Sequence, residues 1–563
     1  MEYLPWYEQN PAILQEEIKA YEASGFVFEY QKEVKDQKKM IEFKGNVEIN
    51  GRAVNLIVRY PDEYPYFRPF VFAYDFSLER HQHPFGKNLC VIPHDQYGWE
   101  TRMTGAFLVH QAIRLLTDSE NGKDAVAKNE VPAAEPWTRY IQFDYFKPMM
   151  IAGSIPDNIL ETGDFTYREF GTRLWLSNIE LKRQYYSFST NLENKLEGNQ
   201  QSSLVTSQYL RLDAPPSFDL KNPESIIDHL KDHPGIHSFY QDYQNFKGKT
   251  AKQSIKVGNV KIPKLALVFK EENFEQGSYH YTLMFGVYIP TEEMVRWSKP
   301  VFLSTEEHFT RIPTMKPLYE RSAAIVGMGS LGSAITLELA KCGLGSFSIV
   351  DYDTVEFGNL CRHTVNIDLL PFYKTAALKY QIHHQFPFAK VDIINFMIGQ
   401  LPNTDPKGTD LKVFYEQLKD VDILIDASAD GMVTAMLNKM AVHLNIPIVH
   451  AWVTNGAIGG RVLRTIPNRT GCYKCLDMNG VKEVASADIE GIMPRGCSFP
   501  TFTGTSFDIY EVATHSVRLV TNTLLNLDDP DAYDHIMIEH YPPKIETEKI
   551  LKRDDCPVCG RKK

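Results

Sequence analysis

Eight cysteines stand in this chain of 563 residues, and their spacing sorts them by chemistry. Cys472-x-x-Cys475 and Cys556-x-x-Cys559 are two knuckles with 80 residues between them, and the turn formers Gly471, Pro557 and Gly560 lie beside them. Four thiolates in two such pairs suit a tetrahedral Zn²⁺ site with no open position, hence a structural one; the other readings are redox dithiols or packed thiols. Cys90 ends the run His83-Pro84-Phe85-Gly86-Lys87-Asn88-Leu89-Cys90. Cys497 lies in Pro494-Arg495-Gly496-Cys497-Ser498. A loop thiol beside an arginine is biased toward its thiolate, the nucleophilic form. Cys342, inside a helical run, reads as packing, and Cys361 is assigned no chemistry.

A second constellation is suited to phosphate. Gly327-Met328-Gly329-Ser330-Leu331-Gly332 joins a short apolar strand to a helix, and Asp351 follows 19 residues after Gly332 at the end of the next strand. Small residues let the backbone approach a phosphate, the helix start supplies partial positive charge, and the aspartate can accept from a ribose. On the turn alone, a nicotinamide-dependent oxidoreductase fits as well as an ATP enzyme. Asn359, Arg362 and Lys374, followed by Asp426 and Asp430, shift the balance toward a triphosphate, whose charge needs more cationic partners and a Mg²⁺ held by carboxylate.

This ordered run resembles the adenylation domain shared by ubiquitin-activating enzymes and the bacterial ThiF and MoeB proteins, over residues 310–563. The resemblance implies that Gly327, Gly329 and Gly332 line the phosphate loop, that Asp351 holds the ribose, and that Asn359, Arg362 and Lys374 contact the phosphates. It implies Asp430 or Asp426 for Mg²⁺, Arg311 as an arginine supplied from before the first strand, often across a homodimer, and a catalytic Cys497 in the crossing segment. The paired Cys-x-x-Cys knuckles agree with it.

The frame around Cys90 resembles a ubiquitin-conjugating enzyme, over residues 5–150. Tyr60-Pro61 through Arg68-Pro69, then His83-Pro84, then Asn88-Leu89-Cys90 and Trp99 carry that likeness, which implies a cysteine that takes a protein modifier as a thioester. The family usually has Asn after His-Pro, and here that position is Phe85; Asn88 or His94 is the candidate replacement. Conjugating half first and activating half second, the chain resembles the fused proteins of bacterial CBASS antiphage operons. That likeness implies a cGAS-like nucleotidyltransferase, joined through its free C-terminus, as the modifier, and a lysine-bearing target. The rival with the same ATP site is a sulfur-carrier adenylyltransferase of the MoeB or ThiF type.

The elements that must position these groups are readable in outline. A helix over 10–23, strands over 26–29, 40–49, 53–59 and 69–74, and a helix over 106–116 make an α+β N-terminal part, with Asn50-Gly51 as a two-residue hairpin turn. Residues 119–136 and 192–204 read as solvated loops, and strands over 264–269 and 279–289 mark a β-rich middle. From 321 onward, strands alternating with helices predict a Rossmann-like α/β sheet. The expected organisation is multidomain, α+β then α/β: 1–150 conjugating-like, 151–310 a linking module, 311–563 adenylation.

A net charge of −11 argues against a general nucleic-acid binder, and 43% hydrophobic residues suit ordinary globular cores. The start MEYLPWYEQN shows no secretory signal and no apolar run reaches membrane-spanning length, so a cytoplasmic protein is expected.

Overall fold

The computed structural model describes residues 4–78, 80–92, 98–120, 136–140, 147–181, 184–188, 190–198, 200, 202–247, 262–273, 277–399, 410–487 and 502–560. The chain forms two compact units, Met1–Ser187 with Ser203–Val301, and Phe188–Ser202 with Phe302–Lys563.

The first unit opens on a short helix Trp6–Gln9, then a helix Pro11–Ala23 and a four-stranded antiparallel meander of β1 (Phe28–Tyr30), β2 (Glu42–Ile49), β3 (Arg52–Arg59) and β4 (Phe70–Phe72). Asn50 and Gly51 both take positive φ, 48° and 82°, the conformation of a two-residue turn that matches strand twist. Alternate residues of β2 and β3 (Phe43, Val47, Val54, Leu56, Val58) point inward and pack with Leu108, Val109 and Ala112 of the helix Gly105–Glu120. A short helix Lys32–Lys38, unmarked by apolar spacing, separates β1 from β2.

The same unit holds a nine-stranded sheet: β5 (Met149–Ala152), β6 (Thr162–Phe170), β7 (Arg173–Glu180), β8 (Tyr185–Ser187), β9 (Leu204–Arg211), β10 (Lys264–Glu272), β11 (Tyr279–Ile289), β12 (Met294–Ser298) and β13 (Pro300–Leu303). Helices Pro223–Leu230 and His237–Phe246 pack Ile226, Leu230, Phe239 and Tyr243 against Leu267, Phe269, Met284 and Trp297 of this sheet.

The second unit is a doubly wound sheet. Its strands are β14 (Ser322–Val326), β15 (Ser346–Val350), β16 (Lys390–Ile394), β17 (Ile423–Asp426), β18 (Ile448–Val453), β19 (Gly459–Thr465), β20 (His535–His540) and β21 (Pro543–Glu548). The order is β16-β15-β14-β17-β18-β19-β20-β21, parallel through β18 and antiparallel beyond. Ala323 and Ile325 face one apolar layer with the helices Ser330–Lys341 and Ser506–Leu525, while Ala324 and Val326 face the other with Leu437 and Ala441 of the helix Gly431–Leu444. Both faces are buried, so the strands read as continuous apolar runs.

Two expectations need correction. Residues 192–204 are not one solvated loop: Thr190–Glu197 is helical and β9 begins at Leu204. The helix belongs to the second unit, where Lys195 Nζ donates to the carbonyls of Pro387 and Ala389, a support that no local pattern announces. The helix after the glycine turn starts at Ser330, so Gly332 lies inside it rather than in the loop. Among the described residues no helix is long and apolar enough to cross a membrane.

Candidate functional site

The strand order of the second unit reverses between β14 and β17, and an open parallel sheet leaves a crevice at the carboxyl ends of its strands at such a point. A cavity of about 320 Å³ lies there. It is lined from β14 by Gly327 and Gly329, from β15 by Asp351 and Asp353, from β17 by Ser428, and from the connecting segment by Asn359, Arg362 and Lys374.

The three glycines meet different constraints. Gly327 has φ +90°, and a Cβ there would stand 2.6 Å from the carbonyl oxygen of Ala427. A Cβ on Gly332 would stand 1.8 Å from the carbonyl oxygen of Gly327, so this glycine lets the helix close on the turn. Beside Gly329 a Cβ would meet nothing within 4 Å, so the backbone here borders open space. Gly329 is the N-cap of the helix Ser330–Lys341, and Ser330 and Leu331 of its first turn also line the cavity, so backbone donors free of helical partners gather where an anion is favoured.

The side chains around the cavity are held in place. Asp351 accepts from the backbone N–H of Met328 at 2.6 Å and of Asp353 at 2.8 Å. Lys374 Nζ pairs with Asp353 at 2.5 Å. Asn359 Oδ1 accepts from the Glu356 N–H, which fixes the short helix Phe357–Cys361. Arg362 donates to the carbonyl of Phe502 at 2.5 Å and lies over its ring. His363 is kept below its usual pKa by burial, opposed by its bond with the Met328 carbonyl; a neutral imidazole donates there from Nε2–H and leaves Nδ1 to accept from Val365 N–H.

The crevice therefore brings together Gly327, Gly329, Asp351, Asn359, Arg362 and Lys374, and Gly332 sits just behind it. Besides Gly332, three expected residues do not line it. Asp426 is buried and accepts from Ser428 Oγ (2.7 Å), Thr434 Oγ1 (2.7 Å) and His450 Nδ1 (2.9 Å). Burial pushes its carboxyl up, but these hydrogen bonds, His450's first, outweigh that and hold it below the usual carboxylate range. Asp430 caps the helix Gly431–Leu444 by accepting from the N–H groups of Met432 and Val433. Arg311 is exposed in the turn before the helix Pro313–Glu320. Sequence reasoning passed over Phe502, Tyr352 and Ser428, which also line the cavity. Only the position of Phe502, five residues after Cys497, hinted at it.

The four knuckle cysteines meet. Their sulfurs all lie within 4.8 Å of one another, with Cys472–Cys556 at 3.7 Å and Cys475–Cys559 at 3.3 Å. Thiolates about 2.3 Å from a tetrahedral zinc stand about 3.8 Å apart, so the cluster has the dimensions of such a site. It is buried with Leu463, Leu476 and Ile550, and Tyr473 N–H donates to Asn438 Oδ1, which ties it to the helix Gly431–Leu444.

Cys90 is half-buried in the first unit. Its N–H donates to the carbonyl of His81 at 2.7 Å, and His83 N–H donates to the carbonyl of Asn88 at 2.8 Å, so residues 81–83 and 88–90 run side by side. His83 Nδ1 accepts from the N–H groups of Phe85 and Gly86 and closes the turn. Asn88 Oδ1 lies next to Gly86. Arg68 donates to the carbonyl of Ile92 at 2.5 Å. Burial pushes its guanidinium below the usual value, and the charge of Cys90 beside it pushes back. Trp99 Nε1 donates to the carbonyl of Pro65 at 2.9 Å. Cys497 and His94 lie outside the described residues.

Residues 307–538 match the ThiF family and residues 20–145 match the prokaryotic E2 family B. The chain is 26% identical to the uncharacterized protein y4oA of Sinorhizobium fredii over 94% of its own length and 91% of that protein. It is 25% identical to the ATP-dependent ubiquitin transferase-like protein Cap2 of Enterobacter hormaechei over 39% of this chain and 35% of that one. Among solved structures, E. coli MccB with ATP is similar at 20% identity and a TM-score of 0.34, over 44% of this chain and 69% of that one. The chain thus joins a prokaryotic E2 family B domain to a ThiF-family domain, the conjugating-like and activating-like parts of one enzyme.

Proposed function

We propose that this protein uses ATP to activate the C-terminal carboxylate of a protein modifier and then carries that modifier as a thioester on Cys90. The observation that carries the reading is the presence, in one chain, of a glycine-walled crevice with Asp351, Asn359, Arg362 and Lys374 and of a half-buried thiol beside Arg68 in a braced turn. The likeness to a protein described as ATP-dependent and ubiquitin transferase-like supports a transfer that uses ATP.

The steps follow from ordinary acyl chemistry. A carboxylate oxygen of the modifier attacks the α-phosphorus of ATP and pyrophosphate leaves. The Cys497 thiolate attacks the acyl carbon and AMP leaves. The Cys90 thiolate attacks the new thioester and Cys497 is released. A lysine amine of the target then attacks, loses a proton, and frees Cys90. Asp351 is suited to the ribose, and Asn359, Arg362 and Lys374 to the phosphates, with Lys374 exchanging Asp353 for phosphate. Bound Mg²⁺ supplies charge neutralisation, and Asp430 is the better candidate to hold it, because its helix cap uses Oδ1, whereas both oxygens of the buried Asp426 are engaged, by Ser428 on Oδ1 and by Thr434 and His450 on Oδ2. Cys472, Cys475, Cys556 and Cys559 would hold a structural Zn²⁺. The division of labour is residues 1–150 for conjugation, 151–310 for linkage and 311–563 for adenylation.

The modifier is proposed to be a cGAS-like nucleotidyltransferase, in the cytoplasm, as part of antiphage defence. A homodimer is proposed from the exposed Phe357, Ile367 and Phe372 near the crevice, with Arg311 as the arginine one copy offers the other.

The test is ATP–pyrophosphate exchange with Mg²⁺ and such a nucleotidyltransferase, intact or lacking its C-terminal residues. Exchange that depends on that terminus supports the reading. NAD binding without exchange supports the oxidoreductase instead, and a thiocarboxylate product with no adduct on Cys90 supports the sulfur-carrier enzyme. In this assay Arg362→Ala lowers the exchange rate by about 10²-fold, because a preorganised charge at a developing phosphate charge is lost; an unchanged rate removes Arg362 from the site.

Arg68 gives a smaller effect. Its charge favours the Cys90 thiolate, so Arg68→Gln slows alkylation of Cys90 by iodoacetamide at neutral pH by roughly five- to tenfold. Mass spectrometry of the Cys90 peptide reads this out, and an unchanged rate separates Arg68 from the thiol.

A further inference from the structure

Residues 80–90 are held at two points, Arg80 and Phe85, directly or through Trp137 by the strand β10. At the start, Arg80 Nη2 pairs with Glu272 Oε1 at 2.5 Å, and their side chains are only 18% and 7% exposed. At the turn, the ring of Phe85 meets that of Trp137 edge-on at 5.1 Å, and Trp137 meets Phe269 edge-on at 5.2 Å. Trp137 is itself fixed, because the N–H and Oγ1 of the adjacent Thr138 both donate to the carboxylate of Glu271 at 2.9 Å. Phe269, Glu271 and Glu272 all belong to β10. Between the two grips lies His81, whose carbonyl accepts the Cys90 N–H.

We propose that β10 and the Trp137 turn form a brace that positions Cys90 for passing its acyl group to an amine. Arg80, Glu272, Phe85 and Trp137 are its positioning residues. Phe85 has no donor to offer an oxyanion; its contribution is where it sets the turn. A nearly buried ion pair and a stack of aromatic edges fix that turn more tightly than solvent-exposed contacts do. A small displacement of reacting groups costs rate steeply, so the brace acts on transfer and not on the nucleotide crevice. The inference rests on the reading of Cys90 as a thioester carrier.

The test uses the full chain and a probe that needs no ATP. A glycine-ended peptide thioester of mercaptoethanesulfonate loads Cys90 by thiol exchange, with occupancy read at the Cys90 peptide. Free lysine then discharges it: the amine nitrogen attacks the acyl carbon, the carbon–sulfur bond breaks, and the proton goes to solvent. Trp137→Ala is expected to lower the maximal discharge rate about tenfold, with the half-saturating lysine concentration little changed. Trp137→Phe restores an aromatic edge and most of the rate. Glu272→Arg alone slows discharge, and adding Arg80→Glu recovers it. ATP–pyrophosphate exchange stays at the wild-type rate in all of them. Equal discharge by wild type, Trp137→Ala and Glu272→Arg overturns the brace while leaving the thioester reading intact. A wild-type chain that never loads at Cys90 overturns both, and one that loads but never discharges to lysine overturns the brace. If Trp137→Ala fails to fold, the Arg80 and Glu272 exchange decides alone.

Discussion

Cys90→Ala is expected to abolish every reducible adduct on the N-terminal part of the chain while leaving modifier-dependent ATP–pyrophosphate exchange at the wild-type rate. The two readouts separate because the thiol and the nucleotide crevice are built from different elements. Cys90 rests on the turn 81–90 in the first unit, and the crevice rests on β14, β15 and β17 in the second. A thiol cannot be replaced by a methyl group in acyl transfer, so the expected loss is complete rather than graded. Cys90→Ser exchanges the thioester for a more inert oxyester and is expected to accumulate a hydroxide-sensitive adduct that thiols do not remove. Non-reducing electrophoresis with and without thiol distinguishes the three proteins. An adduct of wild-type amount on Cys90→Ala would place the carrying thiol elsewhere.

The second large effect concerns the cysteine cluster. One zinc per chain is expected by elemental analysis, and Cys559→Ser is expected to lose it together with the folded end of the second unit. Structural zinc contributes about 10–16 kcal/mol of binding free energy. That is comparable to the whole stability of a typical domain, about 5–15 kcal/mol. Leu463, Leu476 and Ile550 are buried with the cysteines, and Val442, Trp452, Tyr473, Met478 and Val558 pack against them partly buried, so a metal would add its binding energy to a small apolar cluster. Its loss frees residues 550–560, whose Ile550 carbonyl accepts from Gly471 N–H and whose Ile550 N–H donates to Asp534. Hydrogen exchange of those amides reads the effect directly. A metal-free protein with the same protection would make the cluster a packed set of thiols.

How much of this could be read from the residues depends on how local each cause is. Gly327, Gly329 and Asp351 were legible because a turn, a helix start and the end of the next strand lie close together in sequence. The pairing of the knuckle cysteines was legible because each Cys-x-x-Cys pair is local in sequence and two such pairs fit one four-thiol cluster. Asp426 was placed with the magnesium ligands by its position after β17, yet its carboxylate is engaged by Thr434 and His450, which only the fold brings to it. The middle of the chain was nearly opaque for a related reason. There β9 lies between β6 and β10, so the strand's neighbours are remote, and its exposed face breaks the apolar run. The helix Thr190–Glu197 reads as polar because its anchor, the carbonyls of Pro387 and Ala389, lies almost 200 residues away. Phe85 shows both limits at once: the residue type departs visibly from the ubiquitin-conjugating pattern, but its seat on Trp137 and Phe269 is a property of the folded unit alone.

The most direct test of the central claim is to isolate Cys90→Ser from cells that encode the protein and to sequence the peptide at position 90 by mass spectrometry. The account predicts a branched peptide whose acyl arm is the C-terminus of another protein, and predicts its absence when Arg362→Ala is combined with Cys90→Ser. An unmodified peptide at position 90, in a chain that still turns ATP into AMP and pyrophosphate, would contradict it.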